Sequence, residues 1–98
     1  MLTSRTDRTH AKITQPHQRI VSTREQLAIL DEQLVQVQAE ADDARTRALV
    51  SETPIASRDY DHAARQVAAM QRTRASLVAE ITRLTATRDD LIDSLPTE

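Results

Sequence analysis

The residues best equipped for chemistry gather between positions 52 and 62: Glu52, Asp59, Tyr60, Asp61 and His62. Carboxylates and imidazole hold metal ions and move protons. Asp59 and His62 stand three residues apart, which puts them on one face of a helix. A metal site needs three or four converging ligands, and only Glu52 is placed to join these two. The other two histidines, His10 and His17, lie far off near the N-terminus. No Cys pair, phosphate-cradling Gly loop or nucleophile elbow is present. The residues therefore predict a non-enzymatic chain with no catalytic residue, no metal and no cofactor. The acids at 59 and 61 read as the solvated start of a helix, where the dipole favours negative charge.

The elements that would carry such residues follow from composition. The 98 residues contain no Gly, Cys, Trp or Phe, and one Tyr. Without Gly, tight turns that need positive φ are hard to build. Without aromatics and turn dipeptides, a β-rich fold has little to work with. Ala, Leu, Arg, Gln and Glu dominate, and these favour helix. The net charge is −2, which is no general nucleic-acid footprint. Residues 1–19 hold Arg5, Arg8, Lys12 and Arg19 against Asp7, a local +3, leaving −5 elsewhere. Residues 1–15 show no sustained period and read as a flexible, solvated basic arm rather than a nucleic-acid arm. A nucleic-acid-binding function would need salt-dependent binding through that arm. No apolar run is long enough for a secretory signal or a membrane span, so a cytoplasmic location is expected. Twelve Arg against one Lys point to a GC-rich bacterial genome.

The apolar pattern predicts two helices. Pro16 suits a first helical turn. From it, Ile20, Leu27, Leu34, Ala41 and Ala48 fall at heptad position a, and Thr23, Leu30, Val37 and Ala44 at d. This is the 3-4 spacing of a coiled-coil seam. It predicts helix over 16–51. Residues 52–56 read as a turn, because Pro54 disfavours helix at Thr53. Ser57 reads as the next N-cap, with Asp59 in the first turn. A second heptad over 57–95 places Tyr60, Val67, Arg74, Ile81, Arg88 and Leu95 at a, and Ala63, Met70, Leu77, Leu84 and Leu91 at d. Pro96 closes it, leaving 96–98 as a tail. The fold class is therefore all-α: a two-helix antiparallel coiled-coil hairpin. One register pairs Leu34 with Leu77, Leu30 with Ile81, Ala41 with Met70 and Val37 with Arg74. A register shifted by one heptad is also open and needs a tighter turn. Asp42 with Arg45, Asp43 with Arg47, and Asp61 with Arg65 are spaced as surface ion pairs. Asp89, Asp90 and Asp93 sit at a helix end where the dipole disfavours them.

A second apolar stripe lies off the seam. It comprises Val21, Ala28, Ile29, Val35 and Leu49 on the first helix, and Ala64, Val78 and Ile92 on the second. Two helices cannot cover it, and a lone hairpin of this size is marginal. The expected function is a protein–protein interaction or oligomerisation module. Val21, Ala28, Val35, Val78 and Ile92 would bind the partner, either a second copy, giving a four-helix bundle, or another helical protein.

The turn region supports an alternative. Asp59-Tyr60 followed by His62-Ala63-Ala64-Arg65 resembles the acidic-Tyr and His-Ala-Ala-Arg elements at the coiled-coil tips of bacterial Gre-type elongation factors. The spacing differs by one residue, and the globular domain of those factors has no counterpart here. The resemblance implies a transcription regulator acting on RNA polymerase, with Glu52, Asp59 and Asp61 as tip acids that influence its catalytic Mg²⁺.

Overall fold

The computed structural model describes residues 5–95 and, for side chains, position 8 and positions 10–95. The first four residues of the expected arm and the expected tail at 96–98 lie outside the described residues. The chain is an antiparallel helical hairpin of α1, Arg5–Ser51, and α2, Pro54–Asp93, with no strand among the described residues. It divides into a loop-end unit, Leu27–Ser76, and an open-end unit of Met1–Gln26 with Leu77–Glu98.

The turn is shorter than the composition implied. Residues 52–56 do not form a loop; only Glu52 and Thr53 lie outside helix. Glu52 takes φ 51°, the left-handed conformation that Gly usually supplies. Its amide donates to the Ala48 carbonyl at 3.2 Å, closing α1 with an αL cap. Thr53, not Ser57, is the N-cap of α2. Its hydroxyl accepts from the Ala56 amide at 3.2 Å, and its carbonyl accepts the Ser57 amide at 3.1 Å. Pro54 then occupies the first helical position, where no amide hydrogen is needed. Asp59 consequently falls beyond the first turn of α2, which holds no acid. A left-handed residue with a Cβ costs about 1–2 kcal/mol. Glu52→Gly is therefore expected to raise stability by about 0.5–1 kcal/mol, after the entropy that Gly loses on folding. The urea midpoint should rise with its slope unchanged. An unchanged or lower midpoint would contradict the strain at this turn.

The short turn sets the register of the loop-end unit. Arg74 Nε donates to Asp31 Oδ1 at 2.7 Å. One groove is lined by Gln38, Ala41 and Arg45 from α1 and by Tyr60, Ala64 and Val67 from α2. Ala41 thus lies level with Ala63 and Ala64, not with Met70, and Leu34 lies level with Met70. The pairing is the one shifted by a heptad. Leu34, Ala41 and Ala44 are its buried apolar residues. Arg74, at a seam position, stays exposed and reaches the edge of the interface, as a long cationic side chain does when its stem lies along apolar surface.

In the open-end unit, α1 begins at Arg5 rather than Pro16, so most of the expected arm is helical. The cause is that half-buried Ile13 and buried Pro16 continue the spacing that leads to Ile20. Pro16 sits inside the helix, where its ring displaces one backbone hydrogen bond. Ile20 is fully buried and Thr23 nearly so. Arg19 Nη2 meets Glu80 Oε1 at 2.6 Å, and the small groove beside them is lined by Ser22, Thr23 and Gln26. Glu80 is therefore level with residues 22–26, again the shifted register. Helix α2 ends at Asp93, and a final turn is closed by the Ser94 hydroxyl donating to the Leu91 carbonyl at 2.8 Å.

Candidate functional site

Polar chemistry on the hairpin is dispersed over its surface. His10, His17 and His62 are exposed, and so are Glu52, Asp59 and Asp61. Asp59 and Asp61 stand two residues apart on one helix, about 200° around its axis. They cannot point at one centre. Among the described residues, no three His, Asp or Glu side chains come together in a geometry that would hold a metal ion. Of the ion pairs expected on the surface, Asp42 with Arg45, Asp43 with Arg47 and Asp61 with Arg65 do not close. The three pairs formed among the described residues are Arg19–Glu80, Arg74–Asp31 and Arg88–Asp89. The first two link the helices across the seam. Exposed pairs along one helix gain too little to hold two long side chains in place.

Open concavities lie within the units, three of them well defined among the described residues. The loop-end groove beside Tyr60 holds about 360 Å³ and also touches Asp42. The small groove at Arg19 and Glu80 holds about 170 Å³. A cleft at the tip holds about 390 Å³ and is lined by Thr46, Arg47, Val50, Thr53, Ile55 and Asp59, among others. All three are open to solvent, so none offers the dry environment that strengthens electrostatic catalysis.

The uncovered apolar residues are the more pronounced feature. In the open-end unit Val21, Val78 and Ile92 are exposed. In the loop-end unit Ala28, Ile29, Val35 and Leu49 are exposed, Val35 at 67% of its surface. Every residue assigned to the partner-binding stripe from its heptad position is thus at the surface of its own unit. Sequence reasoning missed Val50, 80% exposed, and Ile55, 71% exposed, which with Leu49 make the tip apolar. The turn read over residues 52–56 places Ile55 in a loop. The signal was Thr53-Pro54, an N-cap followed by a first-turn proline, which places Ile55 in helix. Against these, the buried apolar residues among the described ones are Ile20, Leu34, Ala41 and Ala44, with Pro16 beside them.

No family model, curated protein or solved structure matches this chain. Among the described residues, no helix is long and apolar enough to cross a membrane.

Proposed function

We propose that this chain is a non-enzymatic helical interaction module that works by burying helix against helix, with a second copy of itself as partner. One observation carries the reading: the large side chains left uncovered outnumber those buried. Among the described residues, eight large apolar side chains are exposed, including Val21, Val35, Val78 and Ile92. Each contributes about 1.5–3 kcal/mol if it moves from water into a packed interface. Such residues singly are ordinary on a surface. Here they recur at fixed heptad positions, 21, 28 and 35 on α1 and 78 and 92 on α2, as a docking helix face does.

Sedimentation of Val35→Asp and Val78→Asp tests the reading, with circular dichroism confirming that both stay helical. Each variant is expected to weaken self-association about tenfold or more, because a carboxylate would be carried into an apolar contact. A dimer mass unchanged in both variants would remove these residues from the interface.

A further inference from the structure

The two helices are covered unequally. Helix α1 contains every fully buried residue, whereas α2 has none. In the open-end unit, α2 keeps Leu77, Ile81, Leu84 and Leu91 only half-buried, although all four occupy seam positions. Beside them runs a ridge at heptad position e: exposed Val78, half-buried Thr85 and exposed Ile92. The ridge is symmetric in its spacing, since Val78 and Ile92 each lie seven residues from Thr85. A flank that repeats this way matches itself when turned end for end. That is the requirement for a twofold, isologous contact.

We propose that the e ridge of α2 packs antiparallel against the same ridge of a second copy, with the twofold axis at Thr85. The proposal rests on the self-association reading and specifies its geometry. Val78 then faces Ile92 of the second copy, and the reciprocal contact forms by symmetry. Charge agrees with this placement. Arg24 flanks the same side of the seam and lies level with Glu80, which shares a groove with Ser22, Thr23 and Gln26. Rotation about Thr85 brings position 80 level with position 90. Arg24 is thereby set at the height of Asp89 of the second copy, which stands one helical turn past Thr85 on the ridge side of α2. That acid lies near a helix end where the macrodipole disfavours it, and an opposing Arg offsets that.

The test uses the absence of native cysteine, so that a single introduced thiol reports position. Thr85→Cys should form a disulfide-linked dimer under mild oxidation, because on a twofold axis each thiol meets its own counterpart. Gln18→Cys, on the outer face of α1, should not. Arg24→Glu should weaken the dimer about tenfold, and Asp89→Arg added to it should restore affinity. If the wild-type mass is that of a dimer yet the thiol at position 85 does not cross-link, or the charge reversal has no effect, the arrangement is overturned while self-association stands. A monomer at millimolar concentration overturns both.

Discussion

Ile20→Asp is expected to melt the open-end half of the hairpin. Among the described residues, Ile20 is the one large side chain with no exposed surface. A buried carboxylate without a partner costs several kcal/mol, through desolvation or through the proton it must take up. A domain of this size has a total stability of about 5–15 kcal/mol, so this single change removes much of it. The graded series separates packing from charge. Ile20→Val is expected to cost about 0.5–1.5 kcal/mol and Ile20→Ala about 2–5 kcal/mol. Urea titration followed by far-ultraviolet circular dichroism reads the loss. Hydrogen exchange should show it concentrated in residues of the open-end unit. An Ile20→Asp midpoint equal to wild type would mean that the helices do not meet at this residue.

Ala44→Leu should destabilise the loop-end unit by the opposite route. Ala41 and Ala44 are almost inaccessible although their side chains are single methyl groups, so the backbones approach closely there. Added methylenes have no void to fill and must push the helices apart or leave their rotamer wells. The expected cost is about 1–3 kcal/mol, despite the gain in apolar volume. Ala39→Leu makes the same change on an exposed face of the same helix and should change stability by less than about 0.5 kcal/mol. If Ala44→Leu instead raised the urea midpoint, the seam near the turn would be loose rather than close.

The phase of the seam was legible because it depends only on apolar spacing. Ile20, Leu34, Ala41, Ala44 and Thr23, assigned to a and d positions, are the buried set. The register was not legible from the same signal. Sliding one helix by seven residues returns every a and d residue to an a or d layer, so periodicity cannot choose between the two pairings. Turn length makes that choice, and the absence of Gly suggested a long turn. The chain instead places Glu52 in the left-handed region, at a cost small beside the added helix. The N-terminal boundary failed for a related reason. Thr and Arg around Ile13 hide a spacing that becomes visible only when Pro16 is allowed inside a helix. The outer stripe is exposed except at Ala64, which is half-buried in the groove beside Tyr60, because most positions off the seam have no second helix to cover them. The apolar tip is hidden in the sequence, because Pro54 reads equally as a loop residue and as the first position of a helix.

A hinge of two residues with a strained backbone is the usual starting point for domain exchange, in which a hairpin opens and its arms pair with another molecule. Opening here would join α1 and α2 into one continuous rod. Pro54 opposes this. In an uninterrupted helix it would remove a hydrogen bond to the Val50 carbonyl and clash with it, at about 3 kcal/mol. At the first position of α2 it incurs no such penalty. The residue that starts the second helix thus also favours the chain closed on itself, and helix-swapped polymers are disfavoured by the same ring.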